Sequence, residues 1–232
     1  MNKIPLNIAQ KIARRLVKHM APYCYRVEVA GSVRRQKPEV KDIEIVAHPK
    51  TYWVQQQASQ TSMFDQDPVS LKKSELVDKC LAELPNVTWM RPGFKDTHKK
   101  ISTYGKLVFT AVPDLALDMK NELSDRNNFG LDRKYWKGVT WYQDLPVNLD
   151  IFLAGADNFG VIYLIRTGPK EFNIRLINAL KDRGYQLEGG QIHHGSGRTE
   201  FCPDEGHVFS LAGVSFIQPA KRDLYTKNEK TL

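Results

Sequence analysis

Cysteine is scarce. Cys24, Cys80 and Cys202 are the only three in 232 residues, they are widely spaced, and no CxxC pair exists. An odd, scattered set of this kind argues against a disulfide framework or a thiolate zinc site and fits a reducing compartment. Long apolar runs are also missing. None approaches the roughly 18 residues a membrane helix needs. The N-terminal stretch "MNKIPLNIAQKIARRLVKHM" is amphipathic and has neither the continuous apolar centre nor the cleavage site of a secretion signal. The expectation is a cytoplasmic protein with no membrane partner. Acidic residues are outnumbered, 26 against 34 basic ones, for a net charge of +8. A surplus of this size favours polyanionic partners such as nucleic acid or nucleotides.

What is present is an ordinary globular composition, 41% hydrophobic and 26% charged. The length allows one large domain or two small ones. Pro5 stands where a helix starts, and Ile8, Ile12, Leu16 and Met20 then recur at helical spacing. "YRVEVAG" alternates as a strand ending at Gly31, with Asp42 to Ala47 as its antiparallel partner. Residues 51–70 read as loop, 70–84 as a helix, "NVTWMRPG" and "KKISTYGKLVFTAV" as strands, and 113–144 as an insertion. "LPVNLDIFLAG" reads as a strand and 170–184 as a helix closed by Gly184. Short strands around 186–193 and 200–201 and a short apolar helix near 208–212 complete the chain.

The segment "VAGSVRRQKPEVKDIEIVAHP", residues 29–49, carries two acids in an apolar run. Residues i and i+2 of a strand share a face, so Asp42 and Glu44 project together while Ile43 and Ile45 turn to the core. Adjacent carboxylates repel, and partial burial adds a desolvation cost. A divalent cation removes both problems. Asp150 occupies a second apolar strand with Leu149 and Ile151 facing away from it. If the two strands are neighbours, three hard oxygen ligands converge, the chemistry of Mg²⁺ or Mn²⁺. Two such ions about 3.5–4 Å apart can activate a hydroxyl and stabilise a leaving phosphate. An isolated Asp-x-Glu is more often a solvated edge. Here Gly31-Ser32 offers backbone amides and a hydroxyl to phosphate, and Arg34 and Arg35 add cationic donors.

"GSVRRQKPEVKDIEIV" resembles the nucleotidyltransferase signature of family X, the DNA polymerase β-like group. "IPLNIAQKIARRLVKHM" is similar to the helix before that signature. "VNLDIFLAG" is similar to the strand with the third acid, "FGVIYLIRTGPKEFNIRLINALKDRG" to the start of the thumb, and "EGHVFSLAGVSFIQPAKRD" to the terminal segment. The resemblance spans nearly the whole chain outside roughly 51–70 and 110–145, and its wording is most like small virus- or phage-encoded members.

The resemblance implies an α+β protein: a nucleotidyltransferase palm with a mixed sheet over 1–155, interrupted by an insertion at about 110–145, and a small thumb-like domain over 156–232. It implies a DNA-directed DNA polymerase that adds nucleotides from deoxynucleoside triphosphates to a DNA 3′-hydroxyl with release of pyrophosphate, in gap filling or repair. The implied partners are primer–template or gapped duplex DNA and a nucleoside triphosphate, on a monomer. Asp42, Glu44 and Asp150 would hold two Mg²⁺, or Mn²⁺ in their place, with Asp150 nearest the primer hydroxyl. Gly31, Ser32, Arg35 and Lys41 would hold the phosphates, and Arg166, Thr167, Gly168 and Asn173 would line the sugar and base. Arg34, Lys170 and Arg175 would touch DNA.

Departures from the family pattern are visible. Ile165 and Arg166 stand where an aromatic pair usually precedes Thr-Gly, Lys41 stands where a small residue is usual, and Pro169 replaces a usual Ser. Helix-hairpin-helix and lyase modules find no room, so no 5′-deoxyribose-phosphate lyase activity is expected. Two other readings stand beside this one: transfer to a tRNA end, small molecule or protein, and an inactive nucleic-acid-binding module. Among other features, His193-His194 and His207 read as structural, and His48 as a cap of the catalytic strand. Lys95, Lys99, Lys100 and Lys106 read as followers of a phosphate backbone or as a solvated charged hairpin, and Trp136, Trp141 and Tyr142 read as packing of the insertion or as base-stacking groups.

Overall fold

A computed structural model describes residues 3–55, 70–89 and 135–225. The chain opens with a short strand, β1 (Ile4–Pro5), and Pro5 leads directly into helix α1 (Leu6–Met20). Ala9, Ile12, Ala13, Leu16 and Met20 of α1 are buried, the three-and-four spacing that turns one stripe of a helix to the core. Strand β2 (Cys24–Val29), the short helix α2 (Gly31–Arg34), strand β3 (Glu39–Val40) and strand β4 (Asp42–Pro49) follow. β3 pairs antiparallel with β1, tying the residues just before the acids to the start of α1.

β5 (Thr51–Gln55) and β6 (Ser70–Ser74) form a separate two-stranded antiparallel ladder. Two expectations are corrected here. Thr51–Gln55 is strand rather than loop, and Ser70–Ser74 is strand rather than the first turns of a helix. The helix that does follow, α3 (Glu75–Lys79), starts where the Ser74 hydroxyl accepts the Val77 N–H at 3.4 Å, an N-cap. Strands β7 (Val87–Trp89), β8 (Tyr135–Tyr142) and β9 (Leu145–Leu153) complete the main sheet, whose order is β2-β4-β9-β8-β7. β4 and β9 run parallel and the other neighbours antiparallel, so the sheet is mixed.

The placing of β8 corrects a further expectation. Residues 135–142 are an inner strand of the sheet, not part of an insertion. Its "YWKGVTWY" alternation of aromatic and β-branched residues suits a pleated, half-buried surface. Trp136 is 1% exposed and meets Trp89 edge-on at 5.8 Å between ring centroids, so it packs the core. Gly138 admits that pairing: a Cβ there would lie 2.8 Å from the Thr88 carbonyl and 2.9 Å from the Trp89 ring. The "KKISTYGKLVFTAV" stretch with its lysines, Lys95 and residues 113–134 lie outside the described residues.

One face of the sheet packs on α1, with Ile43, Ile45, Leu149 and Ile151 at 0% exposure. The C-terminal part has its own core. Helices α4 (Phe159–Thr167) and α5 (Lys170–Asp182), the hairpin β10 (Tyr185–Glu188) and β11 (Gln191–His194), and helix α6 (Glu205–Ala212) bury Leu164, Phe172, Leu176, Ile192 and Phe209 together. A third cluster of Ala30, Val46, Phe152, Ala154, Phe159 and Tyr163 joins the two on the other face of the sheet. The structure is α+β with a thumb-like C-terminal domain.

Smaller corrections belong to this region. Residues 200–201 form no strand; Thr199 makes a single bridge to His193. His48 lies within β4 and packs on Tyr25 at 5.1 Å, so it does not cap the strand. His193 Nδ1 meets Thr199 Oγ1 and His194 Nδ1 meets Ser196 Oγ, both at 3.0 Å, and each ring is thereby fixed locally. Among the described residues no helix is long and apolar enough to cross a membrane.

Candidate active site

The parallel register of β4 and β9 sets Asp42 beside Asn148 and Glu44 beside Asp150. Paired residues share a face, so Asp42, Glu44 and Asp150 stand together on the side of the sheet away from α1. Farther along that face come Val46 and Phe152, which meet α4. The acids therefore lie between the sheet and the thumb-like part.

Electrostatics sets them apart from ordinary carboxylates. Burial, then Asp42 and then Asp150, push Glu44 up to about 7, with Arg166 and Arg35 opposing. Burial also raises Asp150, with Asp42 adding to it, against the Tyr135 hydroxyl, Lys137 and Arg166. Like charges concentrated in a poorly solvated place are costly unless a cation neutralises them.

Glu44 and Asp150 each have a local reason for their position. The Glu44 carboxylate lies over Gly31, where a Cβ would come within 2.0 Å of Oε2. Gly31 also takes φ +62, a conformation costly for any other residue. Asp150 Oδ1 accepts the Tyr135 hydroxyl at 2.6 Å, and the Tyr135 ring stacks on Phe152 at 4.8 Å. Tyr135, and Lys137 directly opposite Asp150 in the ladder, were not among the residues expected from sequence. The alternation of "YWKGVTWY" carried the signal, obscured by the polar, glycine-containing segment around it.

The donor set fits a magnesium-like ion: three hard carboxylates on one face, carrying charge that the protein does not fully neutralise. Among the described residues no three His, Cys, Asp or Glu side chains are gathered as a ready-made cage. Glu44 leans on Gly31 and Asp150 is held by Tyr135, so gathering them takes side-chain rotation.

The predicted phosphate residues sit beside the acids. α2 opens with Gly31-Ser32, and the Ser32 hydroxyl oxygen is buried with no hydrogen-bond partner. Arg35 is 14% exposed; its Nε donates to Asp223 at 3.3 Å and its Nη1 to the Thr167 carbonyl. Gly168 faces the Arg35 guanidinium at the end of α4. Asn173 donates to the Ile165 carbonyl at 2.8 Å, and its buried Oδ1 has no partner. Arg166 is exposed, lies 3.8 Å above the Phe152 ring and acts electrostatically on Glu44 and Asp150. Lys41 is exposed just before Asp42.

Of the predicted DNA contacts, Lys170 is exposed at the start of α5 and Arg175 is partly buried on it. Arg34 is placed differently. Its guanidinium holds Glu205 with two bonds of 2.8 and 2.6 Å, donates to Thr167 Oγ1 at 2.7 Å and covers the Tyr163 ring at 3.7 Å. At 18% exposure it is a pin between α2 and the thumb-like part rather than a group reaching outward. Arg222, at 0% exposure, donates to the same Glu205 at 2.9 Å. Arg26 makes a parallel contact, donating to the Pro203 carbonyl at 3.1 Å with its guanidinium 4.2 Å from the Phe159 ring centroid. Glu205, Arg222 and Arg26 were not foreseen.

Comparison with known proteins follows the same division. Residues 162–223 match the family model described as DNA polymerase beta thumb. No curated protein matches the sequence. Among solved structures, a crystal structure of Leishmania infantum polymerase beta, a ternary P/T complex, is similar over 96% of this chain and 77% of its own. The TM-score is 0.52 at 14% sequence identity. The chain therefore has a polymerase β-like fold with a thumb-like C-terminal domain.

Proposed function

We propose that the protein is a DNA polymerase of the family X kind, adding deoxynucleotides to a DNA 3′-hydroxyl in gap filling or repair. The observation that carries the reading is the register that puts Asp42, Glu44 and Asp150 on one face, beside Ser32 and Arg35, in a fold similar to polymerase beta. The P/T complex named for the Leishmania protein supports DNA as the acceptor.

Asp42, Glu44 and Asp150 would hold two Mg²⁺, which when bound lower the pKa of the attacking hydroxyl and neutralise the triphosphate. Asp150, which the Tyr135 hydroxyl holds in the metal-free site, is the carboxylate nearest the primer 3′-hydroxyl and takes its proton. Ser32 and Arg35 bind the phosphate tail, and Thr167, Gly168 and Asn173 orient the nucleoside. Little covalent work falls to the protein in phosphoryl transfer, so positioning and charge supply most of the rate. The net charge of +8 makes DNA binding dominated by phosphate contacts and steeply weakened by salt.

The test is primer extension with Mg²⁺ or Mn²⁺ and each nucleotide, on a 5′-phosphorylated gapped duplex, an open primer–template and a single strand, beside Asp150→Ala. Template-matched extension that the variant loses is the expected result. Untemplated addition to the single strand would make the protein a terminal transferase. Triphosphate binding with no extension on any DNA would overturn the reading and point to a tRNA, small-molecule or protein acceptor.

A further inference from the structure

Two cations of the phosphate-binding segment are held by one carboxylate from the end of the thumb. Arg35 Nε lies 3.3 Å, and Lys37 Nζ 3.0 Å, from the same oxygen, Asp223 Oδ2. Asp223 belongs to the 3-10 segment Pro219–Tyr225, and 188 residues separate it from Arg35. Arg35 is 14% and Asp223 23% exposed, so this pair is partly withdrawn from water. Next to it the Ser32 hydroxyl is buried with no partner. The segment from Ser32 to Lys37 thus offers a hydroxyl, a guanidinium and an ammonium, with one internal anion on the two cations.

A carboxylate and a phosphate compete for the same donors, because both present oxygens that a guanidinium and an ammonium can share. We infer that Asp223 is an internal competitor for the phosphate tail of the nucleotide, setting the affinity for triphosphate and for the pyrophosphate released. This rests on the reading under Proposed function and adds a determinant of specificity to it. A carboxylate carries one charge, and a terminal phosphate carries about 1.5 to 2 at neutral pH. A highly charged tail therefore displaces Asp223 more readily than a weakly charged one.

The surroundings let Asp223 release without unravelling its segment. Arg222, next to it, is anchored by Glu205 at 2.9 Å and by the Ile217 carbonyl at 3.0 Å. Rotation of the Asp223 side chain is enough. Arg35 keeps its bond to the Thr167 carbonyl and so stays at the cleft.

Calorimetric titration of the full chain tests this, with Mg²⁺ and either a non-hydrolysable α,β-methylene deoxynucleoside triphosphate or inorganic tripolyphosphate as the probe. Asp223→Asn should tighten both by about tenfold, the effect of 1.4 kcal/mol. Arg35→Ala should weaken both. In extension assays Asp223→Asn should lower KM for the nucleotide, leave kcat in place and make added pyrophosphate more inhibitory. Asp223→Ser gives the same answer if the asparagine variant folds poorly. Unchanged or weaker binding in a folded Asp223 variant would overturn the inference and make Asp223 a residue that positions Arg35. Failure of the unaltered protein to bind either probe would instead overturn the triphosphate reading itself, and this inference with it.

Discussion

Glu44 and Glu205 are both glutamates largely withdrawn from water, and their surroundings drive them in opposite directions. Burial, Asp42 and Asp150 raise Glu44 to about 7. Burial would raise Glu205 too, but hydrogen bonds and charge from Arg34 and Arg222 outweigh it and hold its pKa below the ordinary value. One site leaves negative charge only partly answered and the other answers it twice. Uncompensated charge at the sheet face is what a metal and triphosphate can use. Compensated charge at the seam fixes α2 against α6 and the terminal segment.

The largest expected effect comes from removing charge at the open site. Asp150→Asn and Glu44→Gln should each lower extension by on the order of a thousandfold or more, about 4 kcal/mol in the barrier. Glu44→Gln should at the same time raise the melting temperature of the metal-free protein above pH 7, because it removes a carboxylate that pays desolvation and repulsion. Calorimetry with chelator, beside single-turnover extension, checks both. A Glu44→Gln protein less stable than the parent would break the comparison.

At the seam the expectation reverses. Glu205→Ala leaves Arg34 and Arg222 without their carboxylate, and breaking a buried ion pair in this way costs about 3–5 kcal/mol. Denaturant titration should show it. Replacing all three with apolar residues of similar volume, Arg34→Met, Glu205→Leu and Arg222→Met, should recover much of the loss. A triple variant as unstable as Glu205→Ala would show that the seam depends on directed hydrogen bonds as well as on charge balance.

The same pair gives opposite pH slopes, of smaller size. A carboxylate raised in the folded state binds its proton more tightly there than in the unfolded chain. Glu44 therefore lowers stability progressively as pH rises from about 4.5 to about 7 in the absence of metal. Saturating Mg²⁺ should flatten that slope, since the ion favours the charged form. Glu205 is lowered, so its contribution is full above 4.5 and is lost as pH falls through its folded value. Melting curves from pH 3 to 8, with and without Mg²⁺ and with Glu44→Gln as the reference, separate the two windows.

The two glutamates also differ in how far the sequence reveals them. Asp42 and Glu44 share a face by strand period alone, and α1, β4 and β9 follow from regular, strongly patterned runs. The nearness of Asp150 was conditional on a strand pairing that the sequence does not state; the parallel register supplied it. Strand β8 was hidden because its aromatic alternation ends a long polar stretch, so Tyr135 and Lys137 were missed. Ser70–Ser74 has no strong preference of its own, and pairing with Thr51–Gln55 makes it a strand. The roles of Glu205 and Asp223 were not read, because Arg34 and Arg35, which they hold, lie 171 and 188 residues away. Local pattern identifies a functional face, whereas charge compensation is a tertiary fact.

The smallest expected effect isolates desolvation from ion pairing. Lys3 and Glu39 form a pair of 3.2 Å, comparable in length to the contacts of Asp223 with Arg35 and Lys37, but at 60% and 63% exposure. Water screens that charge, and holding two long side chains in one geometry costs entropy. Lys3→Gln should therefore change stability by less than about 0.5 kcal/mol, an effect that added salt reduces further. Denaturant titration at low and high salt measures it beside Glu205→Ala. A loss as large as at the seam would mean that pairing itself carries the energy. A negligible loss assigns the contrast between Glu44 and Glu205 to the withdrawal of water, which makes an unpaired carboxylate reactive and a paired one rigid.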